Sequence, residues 1–329
     1  MIKNIKQNLE PWFAAHKLSW LGDRTIFLTL HGSKAYGTST PESDIDVKGI
    51  CIPPKEYYLG FTKSFEQAEG KDPYDMVIYG LQKFMNLAAA CNPNIIEVLN
   101  TDPSDWVVET PLFEKLWEAR DLFLSKKARF TFSGYAASQL KRIKTHRSWL
   151  LSPPSEKPKR STHGLPEQQK LSQSEIGATQ KLVDEGVTVD SNVMQLFHKE
   201  MAYQSAKRQW DQYESWKATR NEKRAKLEAE HGYDTKHAMH LIRLLLMSAE
   251  ILSTGKVNVK RDDAELLLSI RRGAWSYDRL IEWVENHEKG MNAILATSRL
   301  PEGPDYQKLD LLCQELTEEG LRCKSFGGK

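Results

Sequence analysis

The apolar positions of this chain change period along its length, and the changes mark out its elements. Ile26 to Leu30 form a mainly apolar run, interrupted only by Thr29, that ends at His31-Gly32, the pattern of a buried strand running into a turn. After Asp46 the chain continues V-K-G-I-C-I and is stopped by Pro53-Pro54, which predicts a second strand. Asp75 to Tyr79 (DMVIY) predicts a third, and from Leu81 to Ala90 the spacing becomes helical until Asn92-Pro93 ends it. Residues 1 to 18 predict an amphipathic helix with Ile2, Ile5, Leu9 and Trp12 on one side, broken or kinked by Pro11. Residues 55 to 70 have no clear period and read as a short strand or loop.

From about residue 110 the pattern is helical. Leu112 to Phe123 and Thr131 to Leu151 carry apolar residues at helical spacing. Residues 152 to 192 are rich in Pro, Ser and Gln and predict a long loop, of the kind more often used for substrate binding or closure than as filler. A long polar helix is expected from Ser191 to Ala229, a more apolar one over His231 to Ile251, and further helices up to a frayed SFGGK tail. The expectation is an α+β protein. Residues 1–108 form a small mixed-sheet domain, and residues 109–329 a mostly helical domain with 152–192 as its loop.

Composition narrows the class. The 329 residues suffice for a sizeable core, and 40% hydrophobic with 27% charged residues suits a soluble globular chain. A net charge of +2 gives no global field, so any basic surface is local. Cys51, Cys91, Cys313 and Cys323 are scattered without C-x-x-C spacing, which argues against zinc or a disulfide framework and suits a reducing cytosol. No apolar run approaches the roughly 20 residues of a membrane helix, and the N-terminus has no cleavable apolar core. A cytoplasmic location, without membrane partners, is expected.

The candidate chemistry centres on Thr25 to Val47. Gly32 lets the backbone turn sharply and approach a ligand closely, and Ser33 adds a hydroxyl that can donate to phosphate. Asp44 and Asp46 are two apart, so on an extended strand both carboxylates share a face and need a cation between them; hard oxygen ligands suit Mg²⁺. Lys48 has the same strand parity, although a solvated strand-end lysine is the plainer reading.

The residues Gly32, Ser33, Gly37, Thr38, Ser43, Asp44 and Asp46, in the order G-S-x-x-x-G-T-x-x-x-x-S-D-x-D, resemble the signature of the DNA polymerase β-type nucleotidyltransferase superfamily. The runs Asp75 to Asn100, Gly134 to Pro154 and Lys236 to Gly255 are further similar to a bacterial and phage family of predicted nucleotidyltransferases. The resemblance implies a palm-like sheet domain followed by a helical one. It also implies a two-ion Mg²⁺ site, with Mn²⁺ as an alternative, and a nucleoside triphosphate substrate, ATP first. Asp75, at the head of a strand after the D-x-D strand, takes the place of the third metal carboxylate, with Asp72 as its competitor. Gly32 and Ser33 would cradle the β- and γ-phosphates. Glu97, in the matching N-P-N-x-x-E segment, reads equally as a functional carboxylate or a structural one, and Tyr57 and Tyr58 suit core packing better than base stacking.

Two basic groupings are left. Lys141, Arg142, His146 and Arg147, with Lys144 between them and Lys126, Lys127, Arg129, Lys157, Lys159 and Arg160 around them, form the one strong basic concentration and a candidate nucleic-acid contact. The helix after residue 191 interleaves Trp210, Tyr213 and Trp216 with Lys207, Arg208, Lys217, Arg220, Lys223 and Arg224, a pattern better suited to docking on a neighbouring helix than to stacking bases. Lys236, His240 and Arg243 share one helix face at i, i+4 and i+7 and are expensive to bury unpaired. The superfamily's basic helical wall makes them candidates for triphosphate binding, with internal salt bridges to glutamates as the alternative. The acceptor stays open: an RNA or tRNA 3′ end, a protein or small molecule (AMPylation, for instance), or none, in a catalytically idle nucleotide- or RNA-binding module. Oligomeric state is not legible.

Overall fold

Five strands build one mixed sheet in the computed structural model, which describes residues 2–168, 171–187, 190–323 and 325–326. They are β1 (Thr25–His31), β2 (Asp46–Cys51), β3 (Gln67–Gly70), β4 (Asp75–Gly80) and β5 (Trp106–Val108), ordered β3-β4-β2-β1-β5. Strands β1 and β2 are antiparallel, β2 and β4 parallel, and β3 and β5 close the two edges antiparallel. The sheet's two faces differ. Leu28, Leu30, Val47, Met76, Ile78 and Ala68 point to a core shared with Ile5, Leu9, Trp12 and Leu21. By strand alternation the opposite face carries His31, Asp46, Lys48, Asp75, Val77 and Tyr79.

The N-terminal segment that covers the apolar face is two helices, α1 (Ile2–Gln7) and α2 (Leu9–Ala15), separated at Asn8. Pro11 explains the break. Its ring excludes a helical carbonyl four residues back, at Gln7, yet it fits the first turn of the helix it occupies. Short helices α3 (Gly32–Tyr36) and α4 (Glu56–Leu59) lie within the sheet region, followed by α5 (Leu81–Ala89) and α6 (Pro93–Leu99). Asn92 caps α6, its side chain accepting from the Asn94 N–H at 3.1 Å, so the Asn-Pro that ends one helix starts the next.

The remaining helices are α7 (Pro111–Glu118), α8 (Lys127–Leu151), α9 (Gln173–Asp184), α10 (Ser191–Thr219), α11 (Glu222–His231), α12 (Thr235–Thr254), α13 (Ala264–Arg271), α14 (Tyr277–Thr297) and α15 (Tyr306–Arg322). The α+β expectation holds. Three details differ. The expected loop of 152–192 contains α9, started by a Ser172–Glu175 capping box. The expected single helix from Ser191 is two, parted at Arg220, whose backbone is extended. The tail is anchored at its start, where the Phe326 N–H donates to the Asp23 carbonyl at 2.7 Å and its ring lies under Arg24; residues 327–329 of that tail lie outside the described residues.

Contacts divide the chain elsewhere than at residue 108. One compact unit joins residues 1–142 with 235–329, and the other is 143–234. The C-terminal helices belong with the sheet because they pack on it: Gly320 of α15 meets Ile52, and Val257 and Val259 pack on Ala35 and Tyr36. The second unit has its own core, in which Trp149, Tyr213 and Trp216 sit with ring centroids 5.3 to 6.0 Å apart. Arg160 forms a two-pronged ion pair with buried Glu200 there, both contacts at 2.8 Å. Among the described residues no helix is long and apolar enough to cross a membrane.

Candidate active site

The sheet register brings three polar side chains into one row. His31, the last residue of β1, pairs with Asp46, the first of β2, and Asp46 pairs in parallel with Asp75, the first of β4. Neighbouring strands lie roughly 4.8 Å apart, so Asp46 and Asp75 present carboxylates side by side at one sheet end. Asp75 is exposed and Asp46 half-buried, while Asp44 lies exposed just before β2. Burial pushes the Asp46 carboxyl above its ordinary range and Asp75 pushes it further, opposed by His31, Lys48 and Lys236. Asp72 lies in the bend before β4, outside the row.

Gly32 is required where it stands. Its φ is +61°, and a Cβ there would run into the Asp46 carboxylate. Helix α3 ends at Gly37 with φ +73°, and the Gly37 and Thr38 N–H groups donate back to Lys34 and Ser33 carbonyls at 3.2 and 3.0 Å. The loop then turns at Thr40 to Ser43. Ser43 Oγ accepts from the Thr40 N–H at 2.9 Å, and that turn delivers Asp44 to the head of β2. Ser33 is half-buried at the same bend. The C-terminal helices grip this segment from outside: the Arg261 N–H donates to the Tyr36 carbonyl at 3.2 Å and Arg271 Nη1 to the Thr38 carbonyl at 3.3 Å.

Behind the row lies a buried polar cluster that sequence reading left undecided. Glu97 is fully buried on α6 and accepts from the Tyr36 hydroxyl at 2.5 Å and from Arg243 Nη1, with His31 Nε2 3.5 Å away. Arg243 also lies over the Tyr36 ring at 3.8 Å. Burial alone would raise the Glu97 carboxyl, but Arg243, His31 and Tyr36 hold it down at about 2. Burial disfavours the Arg243 charge, and Glu97 more than restores it. Arg243 is 4% exposed and paired with Glu97, the internal salt bridge that stood as the alternative to triphosphate binding.

Its two stripe-mates differ. Lys236 is half-buried near enough to Asp46 to act on its charge. His240 has its pKa lowered to about 3 by burial and by Arg243, Lys236 and His237, which disfavours its charged form. Among the other basic residues, Lys141 and Arg142 are exposed on α8. His146 stacks on Trp149 at 5.6 Å and lies tilted against Trp216 at 5.4 Å, and Arg147 Nη1 donates to the Gly232 carbonyl at 2.7 Å. These contacts lie within residues 143–234, as do those among Trp149, Tyr213 and Trp216, which pack against one another. The side chain of Lys223 lies outside the described residues. Tyr57 packs on Trp20, whose Nε1 donates to its hydroxyl at 3.2 Å.

Sequence reading missed His31 and Tyr36, which bracket Gly32 to Ala35 and whose only signal was adjacency to the motif. Tyr79, whose ring lies 5.9 Å from Lys48 Nζ, was read only as part of a strand.

Comparison with known proteins agrees with this geometry. Residues 1–152 match the RlaP family model, described as the RNA repair pathway DNA polymerase beta family. An uncharacterized 38.9 kDa protein from the nrdC-mobD intergenic region of Enterobacteria phage T4 is 32% identical over 35% of this chain and 38% of its own length. The uncharacterized protein YcgL of Bacillus subtilis is 30% identical over 25% of this chain and 32% of its own length. The chain therefore spans about a third of the length of these curated relatives. The family points to a polymerase β-type nucleotidyltransferase linked to RNA repair. In its first 152 residues the chain is similar to that family, and the resemblance to the DNA polymerase β-type nucleotidyltransferase superfamily carried by its G-S and D-x-D signature holds.

Proposed function

We propose that this protein transfers a nucleoside monophosphate from a nucleoside triphosphate, ATP first, to a hydroxyl acceptor, an RNA or tRNA 3′ end, releasing pyrophosphate. The observation that carries the reading is the register of Asp46 against Asp75, with the Asp46 carboxylate packed over Gly32. Two half-open carboxylates that repel each other, all hard oxygen donors, fit a divalent cation. Asp44, Asp46 and Asp75 would hold two Mg²⁺ ions, or Mn²⁺ in their place. Bound there, the ions would activate the acceptor hydroxyl and neutralise charge on the departing pyrophosphate.

The chain's own residues supply positioning. Gly32 lets the triphosphate approach the backbone, Ser33 donates its hydroxyl to the β- and γ-phosphates, and Lys236 adds a cation from α12. The acceptor oxygen bonds to the α-phosphorus as the bond to the bridging β-phosphate oxygen breaks. The electron pair leaves with pyrophosphate and the hydroxyl proton passes to solvent. Glu97 and Arg243 hold both ends of α3 in place. The domain reading is revised with it: residues 1–142 and 235–329 together carry the reaction.

A second reading has an observation in its favour. Several basic residues expected to meet RNA are used internally, His146, Arg147 and Arg160 among them, which favours a protein or small-molecule acceptor. The test is to incubate protein, Mg²⁺ and each α-labelled nucleoside triphosphate with total RNA and cell protein. Asp46-dependent label in RNA is expected. Label in a protein or metabolite selects the second reading, and no Asp46-dependent label leaves nucleotide or RNA binding alone.

A further inference from the structure

A cleft of about 490 Å³ opens beside α8, with Phe130, Gly134, Tyr135 and Ser138 along one helix face and Asn92 on the facing segment. Its walls are unusual for a protein surface. Phe130 is 68% exposed and Tyr135 37%, two aromatic rings left facing solvent at positions where a helix normally buries them. Gly134 forms the floor: a Cβ added there would meet nothing within 4 Å. Glycine in a helix interior costs about 1 kcal/mol relative to alanine, so here the helix gives up stability and space stays open.

The polar groups are fixed in orientation. The Asn92 carbonyl oxygen caps α6 while its Nδ2 donates to the Tyr135 hydroxyl at 2.9 Å, which pins the Tyr135 ring. The cleft has a neighbour on the sheet. Tyr79 stands there beside Lys48, and its hydroxyl is raised by burial and then by neighbouring Glu69 and Tyr135. Along α8, Lys141 and Arg142 follow Ser138 by three and four residues, on the same helix face, and both are exposed.

We infer that this cleft is a stacking site for an unpaired base of single-stranded RNA, with Lys141 and Arg142 contacting the phosphates that follow. The inference rests on the RNA-acceptor reading and says where that acceptor lies. Flat, exposed rings suit a base's π-face, and the cleft is open enough for one. The cations decide between a polynucleotide and a mononucleotide. They stand about one helical turn beyond the cleft, where a strand continuing past a stacked base has further phosphates.

The test measures binding of a short fluorescent single-stranded RNA to the full chain, alongside binding of a fluorescent ATP analogue. Phe130→Ala, Tyr135→Ala and Gly134→Leu each remove or fill the cleft. The last raises helix propensity at a site where an added Cβ meets nothing, and an unchanged melting temperature separates its effect from lost folding. Each is expected to weaken RNA binding roughly 5- to 150-fold, the range for losing one stacked base, while ATP-analogue affinity holds. Lys141→Ala with Arg142→Ala should lower the slope of log affinity against log salt by about 1.4, from roughly 0.7 per phosphate contact. Unchanged RNA affinity in Phe130→Ala and Gly134→Leu overturns the inference. Loss of ATP-analogue affinity instead gives the cleft to the donor nucleotide's base and overturns it equally. If the cleft variants lose RNA binding but the wild type puts no label into RNA, the site stands and the acceptor reading fails.

Discussion

Two acidic groupings lie on either side of the same strand end, and they behave oppositely. Asp46 and Asp75 stand together at one sheet end; burial and then Asp75 push the Asp46 carboxyl up, and His31, Lys48 and Lys236 only partly oppose them. Glu97 is fully buried, yet Arg243, Tyr36 and His31 converge on it and hold its carboxyl down at about 2. The protein satisfies the carboxylate it hides and leaves strained those it exposes. Under the proposed function, that contrast separates a structural acid from a reactive one better than charge or position in the sequence can. It also shows how α3 is held: Glu97 ties down His31 and Tyr36, at either end of the glycine turn, so Gly32 and Asp46 meet at a fixed distance.

The comparison breaks most sharply on activity. Asp46→Asn or Asp75→Asn should reduce nucleotidyl transfer about 10³-fold or more, read as label incorporated per enzyme, because several kcal/mol of metal-borne charge stabilisation is lost. The same variants should keep or gain thermal stability without added Mg²⁺. A variant that unfolds instead would make these carboxylates structural.

Glu97→Ala should do the reverse, costing about 3–5 kcal/mol in chemical denaturation because Arg243 is left buried without its partner. Removing both charges, as Glu97→Gln with Arg243→Met, should recover much of that loss. A double-variant loss equal to the sum of the two single-variant losses would mean the pair is not coupled.

Gly32→Ala tests the join between the two groupings. The positive φ costs an L-residue about 1–3 kcal/mol, and the new methyl displaces Asp46, so activity should fall further than stability. An active, stable Gly32→Ala protein would show that the close approach is dispensable.

The smallest effect is the pH dependence, and its two signs differ. Glu97 has a folded pKa below its ordinary value, so its stabilisation is complete above about pH 5 and is lost as pH falls towards 2. Asp46 has a raised folded pKa, so its contribution is present at low pH and lost as pH rises through that value. Denaturation midpoints against pH should therefore lose their acid limb in Glu97→Gln and rise above the wild type near neutral pH in Asp46→Asn. Mg²⁺ should raise the wild-type melting temperature and leave Asp46→Asn unmoved.

Much of this was legible in the chain. The apolar run from Ile26 to Leu30, the stop at Pro53-Pro54 and the period change after Leu81 fixed three strands and a helix, because local pattern dictates local element. Gly32 and the spacing of Asp44 and Asp46 pointed to the site, since few residues tolerate that turn and paired carboxylates demand a cation. Asp75 could be named from its place at the head of a strand. Its register against Asp46, however, is a choice of pairing between segments almost thirty residues apart, and no local pattern encodes that.

The stripe of Lys236, His240 and Arg243 shows the same limit more plainly. Periodicity put the three on one helix face, but which of them meets solvent depends on what packs opposite. Glu97, 146 residues away in the chain, captures Arg243; burial neutralises His240; and Lys236 is left beside the carboxylates. Sequence by itself determined the types of residue available and the elements that carry them. Only the tertiary structure decided which charges cancel in the interior and which stay at the cleft, because burial and partner choice are properties of the assembled fold.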